Sequence, residues 1–134
     1  MGPEASLNIY LRDVATIPFR LGRHDCLTFT NGAWRAMYGH GWADDWQGRY
    51  LRAKNAQDLR AEYGHTTLED AVSARLKRCA GIPPRGALVT GKEAGGWLTG
   101  KAFGIAVGSN AAFLSMTGVV YLPITDIENA WIEP

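Results

Sequence analysis

Three consecutive residues, His24, Asp25 and Cys26, have the types and spacing that could do chemistry. Asp25 is a good N-cap for a helix running from Cys26 to about Tyr38, so Cys26 is expected at the first helical position. A thiol there lies at the positive end of the helix dipole, near N–H groups without intrahelical partners, and both favour the nucleophilic thiolate. The same pattern fits a small core residue that begins a helix, and the local sequence alone favours this simpler interpretation.

A cysteine nucleophile also needs a general base within hydrogen-bond reach and a third group that orients the base. His24 lies two residues before Cys26, on the turn leading into the helix, where its ring could point across the helix mouth and favour the thiolate. It is less suited to act as an aligned base, because side chains at this spacing diverge at a helix start.

Neither a metal nor a cofactor is expected. The histidines and cysteines, at positions 24, 26, 40, 65 and 79, have none of the spacings typical of zinc ligands. The glycine-rich segment 91–100 lacks the pattern of a phosphate-binding loop and is predicted to be a hairpin tip or mobile loop. Cys26 and Cys79 are expected to remain thiols, as in a reducing compartment.

Length and composition indicate one globular domain. The chain has 134 residues, 46% of them hydrophobic and 20% charged, with a net charge of +1. This balance predicts no strong attraction to nucleic acid or to a membrane surface, and no apolar run is long enough for membrane insertion. The first residues lack an export signal, so synthesis in the cytoplasm is expected, with exit from the cell only as part of a particle.

The hydrophobic period changes from helical to strand-like near the middle of the chain, which predicts an α+β fold in one domain, 1–134. Its helical part covers about 5–80 and its sheet part about 86–134. Four helices are predicted. The first three run from Ser6 to before Pro18, from Cys26 to Tyr38 and from Asn55 to Gly64. The fourth begins with a capping box at 66–69 and continues through Leu76, and Cys79 is expected to extend the buried face of this helix. Strands are predicted at 86–90, 102–107, 111–115, 119–122 and 130–133.

The order of these elements resembles the NlpC-type cell-wall cysteine peptidases, which are papain-like. Three motifs define that family. The first is a Gly, a short spacer and an Asp-Cys pair at the start of a helix. The second is a strand of Gly-Asp-Leu type, and the third is a strand with the pattern His-x-Gly-Ile-x-x-Gly, whose histidine is the general base. The matching segments here are Gly22-Arg23-His24-Asp25-Cys26, Gly86-Ala87-Leu88-Val89 and Ala102-Phe103-Gly104-Ile105-Ala106-Val107-Gly108.

The chain also resembles small phage-encoded relatives of those peptidases, found among tail genes of long-tailed phages and prophages. Members carry Phe-Arg-x-Gly-Arg-His-Asp-Cys near the N-terminus, then Ala-Phe-Leu and Leu-Pro near the C-terminus. The corresponding residues are Phe19-Arg20-Leu21-Gly22-Arg23-His24-Asp25-Cys26, Ala112-Phe113-Leu114 and Leu122-Pro123.

The departure from the peptidase pattern is at the base. The resemblance assigns the base position to Ala102, which cannot accept a proton, and the third position to Ser115, which orients an imidazole poorly. We expect the methyl group of Ala102 to face the Cys26 sulfur. The resemblance therefore implies a pseudoenzyme, an NlpC-like fold with incomplete hydrolytic machinery.

Three functions remain open at this point, the third of them a thiol-based binding or redox module. The first is a structural or assembly protein of the phage tail tip, located in the virion, whose partners are hub and distal tail proteins. The second is an active cysteine hydrolase that cuts cell-wall peptides during genome entry, with peptidoglycan as substrate, Cys26 as nucleophile, and His24 or a partner's histidine as base.

The tryptophans are mostly expected in the core, including Trp42 and Trp46. Trp97, in the glycine-rich segment, is predicted to be exposed or at a subunit contact. Trp131 is expected either to pack on the sheet or to contact a partner.

Overall fold

The computed structural model describes residues 2–20, 23–47, 68–92 and 101–134. The helices are α1 (Pro3–Val14), α2 (Cys26–Tyr38) and α3 (Leu68–Ser73). The strands are β1 (Lys77–Arg78), β2 (Leu88–Lys92), β3 (Lys101–Ala106), β4 (Asn110–Ser115), β5 (Gly118–Pro123) and β6 (Ile127–Ile132), with a 3-10 turn at Ile124–Asp126. The predicted α+β class, with helices first and an antiparallel sheet last, is confirmed. The predicted third helix and Trp97 lie outside the described residues.

The six described strands form one antiparallel sheet in the order β1-β6-β2-β3-β4-β5. Neighbours in sequence pair from β2 to β5, as expected for short hairpin connections, and β6 returns to lie between β1 and β2. Gly108 and Gly118, at the tight connections on either side of β4, have φ values of 94° and 127°, which only glycine adopts without strain.

Alternation along the strands divides the buried side chains between two faces of the sheet. The helix-facing set joins the core cluster of α1, α2 and α3 and comprises Leu88, Phe103, Ile105, Ala112, Leu114 and Trp131. The opposite set is small and forms a second cluster: Ala87, Val89, Ala102, Ala106, Ala111, Phe113 and Ala130. The register agrees, because Leu88 pairs with Ile105 and with Trp131, and all three belong to the first cluster.

The first helix is confirmed, but it begins earlier than expected. Proline at the first helical position is compatible with a helix start, and Ser6 lies inside the helix with its N–H bonded to the Gly2 carbonyl. Leu7 and Leu11 are buried against α2.

The last helix is shorter than predicted, since α3 ends at Ser73 and the chain enters β1 at Lys77. Cys79 therefore does not extend a helical face; its N–H bonds to the Ala130 carbonyl beside β6. None of the described helices is long and apolar enough to cross a membrane.

Candidate functional site

The candidate site lies at the beginning of α2, where Asp25 caps the helix as predicted. Asp25 is fully buried, and its Oδ1 accepts the Thr28 N–H at 2.9 Å. The Thr28 hydroxyl accepts the Asp25 N–H at 2.7 Å, so the two residues form a reciprocal capping box with threonine at the third position. This pair fixes the direction in which the chain enters the helix.

Cys26 is the first residue of α2, and its side chain is buried, with 5% of the residue exposed. It belongs to the same core cluster as Phe29 and Phe103. Its carbonyl oxygen accepts the Thr30 hydroxyl at 2.8 Å. The thiol is therefore placed at a helix N-terminus, as the sequence predicts, but within the core and away from bulk water.

His24 is positioned by a tight turn. Its N–H lies 2.7 Å from the Arg20 carbonyl oxygen, and the Arg20 N–H lies 2.7 Å from the His24 carbonyl oxygen. The imidazole stands edge-on to Phe29 with ring centroids 6.1 Å apart. Its Nε2 is buried and has no hydrogen-bond partner among the described residues.

Desolvation lowers the pKa of His24 below its usual value, although the neighbouring Asp25 charge acts in the opposite direction. The imidazole is accordingly neutral at physiological pH. A neutral ring carries no net charge with which to stabilise a thiolate. To serve as a base, it would have to take up a proton in surroundings that disfavour its charged form.

Ala102 does not face Cys26, and the sequence-based expectation on this point was wrong. Its methyl group belongs to the second cluster, on the sheet face opposite to the helices, while the next residue, Phe103, points toward α2. A shift of one residue along a strand moves a side chain to the other face, which is why a short motif match could not fix this orientation.

Ser115 lies at the end of β4, two positions from Phe113, and so shares its face of the sheet, away from Cys26. Its hydroxyl donates to the Gly118 carbonyl at 2.7 Å and accepts the Thr117 N–H at 3.2 Å. The hairpin turn therefore uses this hydroxyl. Neither sheet position proposed by the resemblance adds a catalytic group beside the thiol.

Of the other two histidines, His40 lies just beyond the far end of α2, and His65 lies outside the described residues. A 13-residue helix is about 20 Å long, so His40 is remote from Cys26. It is exposed, with Nε2 3.6 Å from Glu133 Oε2. The described residues contain no group of three His, Cys, Asp or Glu side chains that could hold a metal ion.

A polar network centred on the buried Asn31 attaches residues 41–47 to the middle of α2, and the sequence did not predict it. Asn31 is fully buried; its amide nitrogen lies 2.8 Å from Asp44 Oδ1 and 2.7 Å from Gln47 Oε1, and its Oδ1 accepts the Ala43 N–H at 2.7 Å. Arg35 Nε also donates to Asp44 Oδ1, at 2.7 Å. The only available signal was an asparagine on the buried stripe of a helix.

Desolvation alone would raise the pKa of Asp44, but other contacts outweigh it. Hydrogen bonds from Arg35, Asn31 and the Gly41 N–H, together with the Arg35 charge, lower the pKa of Asp44 to about 2. Asp44 is therefore ionised over the physiological range, which excludes it as a general acid there and fits a structural role.

Trp42 and Trp46 are buried as predicted, and they connect the segment 41–47 to the sheet. The Trp42 ring packs on Phe103 at a centroid distance of 4.9 Å. Arg75 holds the segment from outside: its guanidinium makes two hydrogen bonds to Asp45, at 2.7 and 3.0 Å, and lies 4.2 Å from the centroid of Trp46.

Trp131 adopts the first of its two expected roles, packing on the sheet. It is fully buried, and its indole N–H donates to Ser73 Oγ at 3.0 Å. The residue offers no surface to a partner in this conformation, which is a correction to its assignment as a contact residue.

The segments that carry the resemblance meet in space. The Phe19 N–H bonds to the Ser115 carbonyl at 3.1 Å, which links the first motif to the end of β4. Ala112, Phe113 and Leu114 lie within β4, and Leu122 and Pro123 end the paired strand β5. Short motifs separated by about ninety residues in the sequence are thus parts of one structural unit.

These features define an α+β domain with three described helices packed on one face of an antiparallel sheet, and a buried cysteine at the N-terminus of its central helix. The chain belongs to the family described as Domain of unknown function (DUF6950), which matches residues 3–132. No curated protein matches the sequence.

Proposed function

We propose that this protein is a structural or assembly component of a phage tail tip or baseplate, built on a degenerate NlpC-like cysteine peptidase fold. Its partners in this proposal are hub and distal tail proteins, and it acts in the virion. The tail assignment derives from the motif resemblance. The choice of a non-catalytic role derives from the surroundings of Cys26.

The observation that carries the non-catalytic role is the burial of the Cys26 thiol, combined with the positions of the two residues that the resemblance assigns as base and as orienting group. Cys26 is 5% exposed, and His24, two residues before it in the sequence, has an enclosed Nε2 and a lowered pKa. The resemblance assigns the general base to Ala102 and the group that orients it to Ser115. Both residues lie on the face of the sheet opposite to the helices. A hydrolase needs its nucleophile, base and substrate carbonyl to converge in an accessible cleft.

The test is complementation in a phage or prophage that encodes this protein. Deletion of its gene should give tails with defective tips, and the wild-type protein should restore them. Cys26→Ser should restore tail assembly and infectivity to the same extent, because the proposed role uses no thiolate. Normal tails and infectivity in the deletion strain would refute the proposal.

One observation favours the second candidate, an active cysteine hydrolase acting on cell-wall peptides. Cys26 occupies the first turn of a well-capped helix, where the helix dipole favours the thiolate form. Purified protein is incubated with peptidoglycan, and released peptides and amines are measured. Release that is abolished by Cys26→Ala and retained in Cys79→Ser would establish the hydrolase and overturn the structural proposal.

A further inference from the structure

A groove of about 380 Å³ lies between α1 and β5, which is an edge strand of the described sheet. Along α1 it is lined by Asn8, Arg12 and Ala15, which are three or four residues apart and therefore share one flank of the helix. Across from them are Arg85 and Tyr121, the latter 52% exposed. None of this groove belongs to the site at Cys26.

The groove presents positive charge in a fixed position. Arg85 is held by two hydrogen bonds, from Nη1 to the Val107 carbonyl at 2.9 Å and from Nη2 to Asn8 Oδ1 at 2.8 Å. Arg12 is 77% exposed. Among the described residues, the groove is lined by two arginines and no carboxylate.

Two carboxylates approach these arginines without lining the groove. Glu4 lies 3.8 Å from Arg85 Nε, and Asp13 lies 4.0 Å from Arg12 Nε. Both acidic side chains are largely exposed, and exposed pairs of this kind are weak. A ligand carboxylate can therefore compete for the same guanidinium groups.

Beside the groove, β5 is the last strand of the sheet within the described part of the chain. The Val119 N–H is donated to the Ala15 carbonyl at 3.0 Å rather than to β4. Because alternate residues direct their backbone groups to opposite sides of a strand, the N–H and C=O of Tyr121 also point away from β4. No bond from a described residue to these Tyr121 groups is present on that side, and within the described part of the chain they are available to a further strand.

The two edges of the sheet differ in how they resist strand addition. The edge at β1 is only two residues long and carries Lys77 and Arg78, which is a common form of protection. The edge at β5 has six residues, none of them charged, and exposes Val120 and Tyr121. Pairing is limited at its two ends, by the Val119 N–H already bonded to the Ala15 carbonyl and by Pro123.

We propose that β5 and this groove bind an extended acidic segment of a partner protein, which adds to the sheet as a further strand. Side chains alternate along a strand, so one set would reach the groove, where carboxylates meet Arg12 and Arg85. The other set would lie beside Val120, where apolar residues fit. The strand β5 carries no carboxylate, so a second copy paired through its own β5 would offer none from that strand, and charge favours a distinct acidic partner.

The test uses two synthetic eight-residue peptides with blocked ends, one alternating glutamate with valine and the other alternating lysine with valine. The dissociation constant of each for the full chain is measured by calorimetry at low and high salt. The acidic peptide should bind at least about tenfold more tightly than the basic one, and added salt should weaken it. Equal affinity for both peptides would overturn the proposal.

Three variants locate the contact. Tyr121→Pro removes an N–H that points away from β4 and leaves the β4 ladder intact, so it should abolish peptide binding. Tyr121→Thr keeps that N–H, and its dissociation constant for the acidic peptide should be within about threefold of the wild-type value. Arg12→Glu reverses an exposed charge and should weaken binding by about tenfold or more. Far-UV circular dichroism verifies folding.

Unchanged peptide affinity in Arg12→Glu, or in folded Tyr121→Pro, would refute the proposed interface. Sedimentation velocity provides an independent measurement. A dimer of the wild-type protein that Tyr121→Pro converts to a monomer would identify a second copy as the occupant of the edge and would also overturn the proposal.

Discussion

The indole N–H of Trp42 lies 3.1 Å from the hydroxyl oxygen of Thr30, and the same hydroxyl donates to the carbonyl of Cys26. One buried side chain therefore connects the loop after α2 to the first turn of that helix. The position of the thiol depends on this connection as well as on the Asp25 cap.

Thr30→Val should destabilise the protein by about 1–3 kcal/mol, because it keeps the shape of the side chain but leaves the buried Trp42 N–H without an acceptor. Urea denaturation of Thr30→Val, Trp42→Phe and the double variant should give a coupling of about 1 kcal/mol. Thr16→Val, at an exposed position, is the matched control and should change stability little. Strict additivity of the two core changes would contradict the inferred hydrogen bond.

Asp25→Ala should cost about 1–2 kcal/mol of unfolding free energy, because it removes the side chain that accepts the Thr28 N–H at the helix start. Asp25→Ser can accept the same N–H and should recover much of that loss. Asp13→Ala removes an exposed carboxylate and serves as the control. An Asp25→Ala variant as stable as the control would show that the cap is dispensable.

Gly41→Ala should destabilise the protein by about 2 kcal/mol or more, a size typical of overpacking a site that cannot yield. A methyl group there would overlap Asn31 Oδ1, which accepts the Ala43 N–H, and Asp44 Oδ1, which is hydrogen-bonded to Asn31 and Arg35. At Gly2 an added methyl group meets nothing within 4 Å, so thermal unfolding of Gly2→Ala provides the comparison. Equal melting temperatures for the two variants would contradict the rigidity of the network.

The lowered pKa of His24 predicts a pH dependence of stability with a defined sign. The unfolded state, with the ordinary pKa of 6.5, binds the proton more readily than the folded state. The contribution to stability is therefore complete above pH 6.5 and is lost as the pH falls through that value toward the folded pKa.

The corresponding measurement is the unfolding free energy between pH 5 and 8 for the wild type, His24→Gln and His40→Gln. His24→Gln should flatten the curve below about pH 6.5, since glutamine does not titrate in that range. His40→Gln, which changes an exposed ring, should leave that slope in place. A steeper decline in His24→Gln than in the wild type would reverse the inferred sign.

The two thiols should react at different rates with Ellman's reagent. Cys79 is only partly buried, whereas Cys26 lies in the core, so the folded wild type should show one faster and one much slower thiol. Cys79→Ser should abolish the fast phase, and Cys26→Ser the slow one. Fast reaction of Cys26 in the folded Cys79→Ser variant would indicate an accessible nucleophile and favour the hydrolase.

Much of the fold could be predicted because it depends on local patterns. The presence of α1, the cap and length of α2, and the strands β2 to β5 follow from hydrophobic period and turn residues, whereas β6 was predicted only at its C-terminal end, since it begins at Ile127 and not at 130. The strand β1 could not be predicted in this way. Lys77 and Arg78 are extended because they pair with Ile132 and Trp131, more than fifty residues away.

The candidate site was predictable at Asp25 and Cys26, where the signal is local, and not at Ala102. The face on which Ala102 lies depends on strand register, which is fixed by the pairing of β3 with β2 and β4. The contacts of Asn31 with residues 43, 44 and 47 likewise join chain segments whose proximity no spacing rule specifies.

The backbone bonds from Phe19 to Ser115 and from Val119 to Ala15 have a consequence for synthesis of the protein. They join residues about one hundred positions apart, so the N-terminal helices cannot complete their packing until the final hairpin has been translated. During translation the apolar faces of α1 and α2 lack the sheet that covers them, and they are candidates for chaperone binding until the chain is almost complete.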